Sequence, residues 1–151
     1  MRQNPTMPRR LTVSLKRNEA LRATTVGVGK TKLVYILVAD KKLKYAGGRS
    51  RIAYIGTTSR GMLRIAISVA KRAEKIFGIH GVRSFSARIV TCKPRKNVKT
   101  LHKLERAFLL SFKATYGDVP WCNTQGKKMR ETDEFRYFTR RRIRNVIEEL
   151  S

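Results

Sequence analysis

The chain has 151 residues, of which 35 are lysine or arginine and 10 are aspartate or glutamate, so its formal net charge is +25. This length fits one domain, and a charge of that size predicts a polyanionic partner, with nucleic acid favoured over an anionic membrane. No apolar run approaches the length that crosses a bilayer, and no secretory leader is predicted. The two cysteines, Cys92 and Cys122, fit no disulfide framework or zinc spacing. We therefore expect an intracellular protein with reduced thiols, cytoplasmic or nucleoid-associated.

The first half of the chain predicts a basic arm followed by a β-hairpin. Residues 1–30 contain scattered arginine and lysine and are interpreted as the arm. Residues 32–38 (KLVYILV) are apolar at nearly every position, which is typical of a strand covered on both faces. Residues 52–56 (IAYIG) predict a second strand, and the basic segment 40–51 is predicted to be a long loop between the two.

Residues 61–77 have the spacing of an amphipathic helix. One side carries an apolar stripe that consists of Met62, Ile65, Ala66, Val69, Ala70, Ala73, Ile76 and Phe77. The opposite side carries a polar row that consists of Arg64, Ser68, Lys71 and Lys75. An apolar stripe of helical period predicts a helix that packs on the core and keeps its cations in solvent.

The second half of the chain predicts one more strand and two helices. Polar and apolar residues alternate over 85–91, which indicates a third strand. Thr100 is the predicted N-cap of the next helix, and residues 133–150 predict a last, arginine-rich helix. The element order predicts an α+β fold, with a three-stranded antiparallel sheet flanked by helices and an extra C-terminal helix. Residues 31–128 would form the core, and residues 129–151 would pack on it within a single domain.

Glu105 occupies a position that is costly for a carboxylate. It lies in the run LHKLERAFLLSF, whose apolar residues recur at helical spacing. On a helical wheel it falls inside the stripe formed by Leu101, Leu104, Phe108, Leu109 and Phe112. A carboxylate that faces a core needs an ion-pair partner, hydrogen bonds or a cation. Glu105 is therefore predicted to be either a structural ion-pair partner or a residue of a functional site.

Several residues that could form a catalytic site occur in a recognisable order along the chain. In chain order they are Tyr35 in the first strand, the run Tyr54-Ile55-Gly56, Arg64 eight residues after the glycine, Glu105 on the helix after the third strand, and Asn123 three residues after Pro120. In this order and spacing, residues 32–126 resemble the GIY-YIG nuclease superfamily. The chain departs from the family pattern at Leu33-Val34-Tyr35, where only the tyrosine matches, and at Ser68, where relatives often have histidine or tyrosine. The interval between the two tyrosines is also longer than in the family.

The resemblance implies metal-dependent hydrolysis of phosphodiester bonds in DNA, with RNA as an alternative substrate. Glu105 would bind a single Mg²⁺ or Mn²⁺ ion, and Arg64 would hold the scissile phosphate. Tyr35 or Tyr54 would take the proton of the attacking water, and Asn123 would support the site or contact the phosphate. The residue types suit these roles, because one carboxylate gives Mg²⁺ a hard oxygen ligand and leaves other positions to water and substrate. A guanidinium group matches the geometry of a phosphate.

Basic residues outside this site are predicted to bind backbone phosphates, which positions a nucleic acid without reading its sequence. They come from the arm, the loop 41–51 and the basic helices, and those singled out are Arg49, Arg51, Arg60, Lys71, Lys75, Arg140 and Arg141. No helix pairs a basic face with an exposed apolar face, so membrane binding is not expected. A homodimer would suit double-strand cleavage, although no sequence feature establishes one.

Two alternatives remain at this stage. The first concerns function, because a basic chain of this size could also be a non-catalytic nucleic-acid-binding protein of ribosomal or architectural type. Such a protein has no need of Tyr54, Arg64 and Glu105 in this arrangement. The second concerns Trp121, which could stack on a base or fill the end of a helix as an apolar plug.

Overall fold

The computed structural model describes residues 12–15 and 33–151, except for the side chains of residues 61–63. Most of the predicted basic arm therefore lies outside the described residues, together with the phosphate contacts expected of it. Within 12–15 there is no regular secondary structure, and the side chains of Val13 and Leu15 are almost fully exposed.

Two long strands form an antiparallel hairpin. Strand β1 covers Leu33–Tyr45 and strand β2 covers Gly48–Thr58. The prediction of a long basic loop over 41–51 was wrong, because the strands continue almost to the turn. Leu43 is buried whereas Lys44 is exposed, and this alternation sustains a strand although most of the segment is charged.

The hairpin turn is short and is pressed against the rest of the protein. Tyr45 pairs with Gly48, so that only Ala46 and Gly47 lie between the strands. The N–H group of Gly47 donates a hydrogen bond of 2.9 Å to the carbonyl oxygen of Tyr116. A Cβ atom at Gly47 would lie 2.6 Å from the backbone oxygen of Thr115. Glycine is therefore required by the close approach of the two backbones.

Helix α1 (Gly61–Phe77) has the predicted bounds and covers one face of the sheet. Strand β3 (Phe85–Val90) completes that sheet in the order β2-β1-β3. Ile65 and Ile76 are buried beneath the helix, and the rings of Phe77 and Phe85 pack with centroids 5.2 Å apart. The described part of the predicted apolar stripe is rotated, because Ala66 and Ala70 are exposed while Ser68 from the predicted polar row is half-buried.

Helix α2 (Thr100–Tyr116) packs on β1 and β2 and buries the predicted stripe residues Leu104, Phe108, Leu109 and Phe112. Its N-cap is Lys99 rather than the predicted Thr100. The hydroxyl group of Thr100 instead donates to the carbonyl oxygen of Val98 and accepts from the N–H group of Arg95, both at 3.2 Å. The threonine thus organises the loop before the helix.

The predicted last helix is two helices, α3 (Glu134–Tyr137) and α4 (Arg140–Leu150). The backbone is extended at Phe138, and the side chain of Thr139 accepts a hydrogen bond from the N–H group of Arg142. A threonine in this position caps a new helix rather than continuing the previous one. The inner face of α4 is formed by buried Ile143 and Ile147, which hold it on α2 and β2.

The predicted α+β class is confirmed: a three-stranded antiparallel sheet is flanked by helices, and an additional helix follows at the C-terminal end of the chain. Both faces of the first half of β1 are buried, as the continuous apolar run predicted. Within the described ranges, no helix is long and apolar enough to cross a membrane.

Candidate functional site

The candidate site is built around two tyrosines on neighbouring strands. Leu37 pairs with Tyr54 across the hairpin, and Tyr35 lies two residues before Leu37, so both tyrosines point to the same face of the sheet. Their ring centroids are 5.7 Å apart and the rings are tilted by 41°. Tyr35 is buried whereas Tyr54 is half-buried. The two tyrosines therefore approach each other across neighbouring strands.

Gly56 provides the space in which the ring of Tyr54 lies. A Cβ atom at position 56 would be 2.5 Å from the Cε1 atom of Tyr54 and 2.8 Å from its hydroxyl oxygen. These distances are well inside van der Waals contact, so any larger residue would displace the ring. Position 56 therefore favours glycine, because the ring of Tyr54 fills the space that a larger side chain would need.

We expect a Gly56→Ala substitution to move Tyr54 and to lower the free energy of unfolding by about 1–3 kcal/mol, the usual cost of overpacking. Gly78→Ala is the matched control, because the helical backbone at Gly78 accepts alanine and its Cβ atom would meet a carbonyl oxygen at 3.3 Å. Urea unfolding would measure stability, and the part of the tyrosinate absorbance that is lost in a Tyr54→Phe variant would identify the titration of Tyr54. If the two variants have the same free energy of unfolding and the same tyrosinate absorbance, the position of Tyr54 does not depend on the absence of a side chain at Gly56.

Arg72 and Ser68 of α1 connect the two tyrosine hydroxyl groups. Arg72 donates from Nη2 to the hydroxyl oxygen of Tyr54 at 2.7 Å and from Nη1 to the Oγ atom of Ser68 at 2.5 Å. The same Oγ atom is hydrogen-bonded to the hydroxyl group of Tyr35. The guanidinium carbon of Arg72 also lies 3.9 Å from the centroid of the Tyr54 ring. A continuous chain of polar groups therefore joins Tyr35, Ser68, Arg72 and Tyr54.

Arg72 was not among the site residues predicted from the sequence. A signal was nevertheless present, because Arg64, Ser68 and Arg72 follow one another at intervals of four residues and hence lie on one side of the helix. The predicted rotation of α1 placed Ser68 in solvent, so the side of the helix that carries Ser68 and Arg72 was predicted to lie too far from the sheet. The half-buried positions of Ser68 and Arg72 correct that assignment.

The environment of Tyr54 favours its neutral form. Burial raises the pKa of its hydroxyl group above the ordinary value, and the neighbouring Tyr35 raises it further. The positive charge of Arg72 acts in the opposite direction, and the negative charge of Glu105 adds a smaller increase. Without an additional positive charge, Tyr54 is therefore a protonated phenol at neutral pH.

The charge of Glu105 on α2 acts on the pKa of Tyr54, although less than burial, Tyr35 and Arg72 do. Glu105 is half-buried at the margin of the apolar stripe. None of the described residues forms an ion pair or a hydrogen bond with its carboxylate. Of the two predicted roles, the structural ion pair is thus not formed within the described part of the chain.

The buried ion pair of this region belongs to the next residue, Arg106, and to Glu134. The Nε atom of Arg106 lies 2.6 Å from a carboxylate oxygen of Glu134, which is completely buried. The N–H and hydroxyl groups of Thr132 donate to the same carboxylate, each at 2.8 Å. Burial alone would raise the pKa of Glu134, but the hydrogen bonds from Arg106 and Thr132 outweigh it and lower the pKa to about 2.

The other predicted site residues have different surroundings. Arg64 is exposed, and no described residue forms an ion pair with it. Asn123 is turned toward the backbone of β2: its Oδ1 atom accepts from the N–H group of Ile55 at 3.0 Å, and its Nδ2 atom donates to the carbonyl oxygen of Ile55 at 2.8 Å. Asn123 therefore supports the strand segment that carries Tyr54.

A surface groove of about 970 Å³ begins where β2 ends. Thr58 and Ser59 line it on one side, and His102 at the start of α2 lines it on another. Lys93 and Lys99 add positive charge to its wall. The groove thus lies beside the two segments that carry Gly56 and Glu105, and its charge suits an anionic chain.

The described residues contain no group of three or more histidine, cysteine, aspartate or glutamate side chains that could enclose a metal ion. The predicted phosphate-binding cations are exposed in every case: Arg49, Arg51, Arg60, Lys71, Lys75, Arg140 and Arg141. Arg140 is also engaged within the protein, since it forms an ion pair with Glu131 and lies over the ring of Phe135.

Comparison with known proteins gave no match: no family model, curated protein or solved structure is significantly similar to this chain.

Proposed function

We propose that the chain is a metal-dependent endonuclease that hydrolyses phosphodiester bonds in DNA, with a site of the GIY-YIG type. The observation that carries this proposal is the contact of Tyr35 and Tyr54 on neighbouring strands, with the charge of Glu105 acting on Tyr54 from a third element. The absence of an ion pair at Glu105 within the described residues supports it, because a neutralised carboxylate would be a poor cation ligand.

Glu105 fits the role of a single metal ligand. Its half-buried carboxylate offers one hard oxygen donor, and the other positions around Mg²⁺ or Mn²⁺ would be filled by water and substrate oxygens. A bound divalent cation would supply positive charge beside the scissile phosphate and increase the acidity of nearby water. This charge would also offset the unfavourable effect of Glu105 on ionisation of Tyr54.

Tyr54 is the better candidate for the proton acceptor. Hydrolysis joins the water oxygen to phosphorus and transfers one proton from the water to a base. It also breaks the bond to the leaving sugar oxygen, which takes up a proton from solvent. Tyr54 is half-buried and can meet a water molecule, whereas Tyr35 is buried and its hydroxyl group is bonded to Ser68. The hydrogen bond from Arg72 to the hydroxyl oxygen of Tyr54 stabilises the phenolate that this step requires.

The remaining residues would position the substrate and the base. Arg64 would bind the scissile phosphate with its exposed guanidinium group. Tyr35, through Ser68, would hold Arg72 against Tyr54. Asn123 would fix the backbone next to Tyr54 rather than contact the phosphate. The exposed cations on the hairpin and helices would bind the flanking backbone phosphates, and this contribution would weaken as salt increases.

We expect cleavage of labelled DNA that requires Mg²⁺ or Mn²⁺ and stops in EDTA. Duplex, branched and single-stranded DNA, each with an RNA counterpart, should be incubated with the protein, because the same site chemistry applies to all of them. Product formation on gels measures cleavage, and fluorescence anisotropy in EDTA measures binding. Tight, salt-dependent binding of every substrate without cleavage in either metal would favour the non-catalytic nucleic-acid-binding protein instead.

A further inference from the structure

The outer face of the β1–β2 hairpin is strongly cationic near the turn. Its outward residues are Lys42, Lys44, Arg49 and Arg51, and we call them the hairpin cations. Leu43 and Tyr45, which alternate with the two lysines, are buried on the other face. No described residue forms an ion pair with any of the four cations.

The arrangement of the hairpin cations is unfavourable in the protein alone. Lys44 and Arg49 are direct cross-strand partners, and like charges in that position destabilise a hairpin. Lys42 and Arg51 extend the same face by one further step along each strand. A polyanion bound across this face would remove the repulsion, so the charge pattern favours binding rather than stability.

Trp121 adds an aromatic surface next to the backbone of Lys44, one of these cations. Its indole N–H group donates to the carbonyl oxygen of Lys44 at 3.2 Å, and its backbone N–H group donates to the hydroxyl oxygen of Tyr45 at 3.1 Å. The rings of Trp121 and Tyr45 are 6.2 Å apart. Even so, 53% of Trp121 is exposed, which favours stacking on a base over the alternative of an apolar plug at a helix end.

The hydrogen bonds of Trp121 define what this residue can still bind. Both of its N–H groups are used within the protein, which fixes the orientation of the indole. Its exposed surface can then contribute only apolar and stacking contacts. Stacking on an indole is available to every nucleobase, but in a duplex the faces of a base are covered by its neighbours.

We propose that Trp121 and the hairpin cations form a binding subsite for an unpaired nucleotide of a single-stranded nucleic acid. Trp121 stacks on the base, and Lys44 and Arg49 bind the adjacent phosphates. Exposed aromatic groups beside a cationic groove are the usual means of holding single strands without sequence preference. The subsite uses none of the residues assigned to cleavage, so it shares only the nucleic-acid partner with the proposed function.

Fluorescence of Trp121 can test the subsite directly, because it is the single tryptophan of the chain. The full-length protein in EDTA would be titrated with oligothymidylate, oligouridylate, a DNA duplex and polyglutamate. We expect the two single strands to quench the fluorescence at lower concentrations than the duplex and polyglutamate to leave it unchanged. Polyglutamate carries charge without bases and therefore separates stacking from electrostatic attraction.

Variants assign the two parts of the subsite. Trp121→Leu should weaken the binding of labelled oligothymidylate by about 5- to 150-fold, with a smaller loss for Trp121→Phe, which keeps an aromatic ring. The double variant Lys44→Gln/Arg49→Gln should weaken binding of all nucleic acids and reduce the salt slope by about one to two. Lys96→Gln/Lys128→Gln removes the same charge from two other exposed loop positions and serves as the control. Circular dichroism would establish that each variant is folded.

Particular outcomes would overturn the proposal. Quenching by polyglutamate equal to that by oligothymidylate would mean that Trp121 responds to charge alone. Unchanged affinity of folded Trp121→Leu for single strands would mean that the indole does not stack on a base. Because all measurements are made in EDTA, failure of the subsite is distinguishable from failure of metal-dependent cleavage.

Discussion

Replacing Glu105 with glutamine is expected to lower the rate of DNA cleavage by about a thousandfold, which corresponds to about 4 kcal/mol of transition-state stabilisation. Glutamine keeps the shape and polarity of the side chain but is a much weaker ligand for a divalent cation. The fold should be unaffected, because no described residue depends on the charge of Glu105 through an ion pair. Binding of DNA in EDTA should stay within about twofold of the wild type, because phosphate contacts by the surface cations dominate affinity.

Glu148→Gln is the matched control for this measurement. Glu148 is exposed on α4 and loses the same charge on substitution, so its cleavage rate should equal that of the wild type. Rates would be measured with the same labelled substrates in excess protein and Mg²⁺. If Glu105→Gln cleaves DNA as fast as Glu148→Gln, Glu105 does not bind the metal ion and the proposed mechanism is wrong.

Replacing Glu134 with alanine is expected to lower the free energy of unfolding by about 3–5 kcal/mol, since it leaves the guanidinium group of Arg106 without its partner. The completely buried Glu134 carboxylate accepts hydrogen bonds from Arg106 and Thr132. Glu131→Ala is the control, because Glu131 also pairs with an arginine but lies on the surface. Such pairs contribute about 0–1 kcal/mol, and equal losses in the two variants on urea unfolding would contradict the assignment.

Glu134 should also make stability dependent on pH in a defined range. Its pKa in the folded protein is lowered to about 2, compared with about 4.3 for an unfolded glutamate. The folded state therefore binds the proton less tightly than the unfolded state, and the stabilisation is complete above the unfolded value. It is lost as the pH falls from about 4.3 toward 2. Glu134→Gln should show a smaller loss of stability over this range, whereas an unchanged slope would contradict the lowered pKa.

Glu105 and Glu134 show what a helical wheel can and cannot predict. The wheel placed Glu105 inside the apolar stripe of α2 and predicted that it needs a partner, but no described residue forms an ion pair with it. The wheel could not indicate that an arginine one position further along, Arg106, would turn to a carboxylate from a different helix. The buried ion pair joins residues 28 positions apart in the chain, and a distant partner of that kind leaves no periodic signal in the sequence.

The loop predicted within the hairpin was wrong for a different reason. Charge density over residues 41–51 predicted a loop, since most strands are apolar or alternate clearly. In the structure, Leu43 and Tyr45 supply just enough buried surface to continue β1, and Tyr45 packs on Phe112 and Tyr116 of a helix much later in the chain. Tertiary packing therefore decides the conformation of a segment whose local composition favours a loop.

The candidate site was predictable in part because its residues lie on regular elements. Tyr35 and Tyr54 lie on the two strands of the predicted hairpin, and helical spacing placed Glu105 within the apolar stripe of its helix. The position of Arg72 depends on the rotation of α1 against the sheet, which the spacing of apolar residues defines only approximately. Its hydrogen bond to Tyr54 follows from that rotation and was therefore not predictable from the sequence.

The amide group of Asn123 has a consequence for self-association. Strand β2 lies at one border of the sheet, and its unpaired backbone groups would otherwise be a template for a strand from another molecule. Asn123 occupies both polar groups of Ile55, and the N–H group of Cys122 occupies the carbonyl oxygen of Ala53. The side-chain amide of Asn123 thus makes the two hydrogen bonds to Ile55 that the backbone of a further strand would make. Aggregation by edge-to-edge strand addition is blocked at this part of β2, beside the tyrosine of the candidate site.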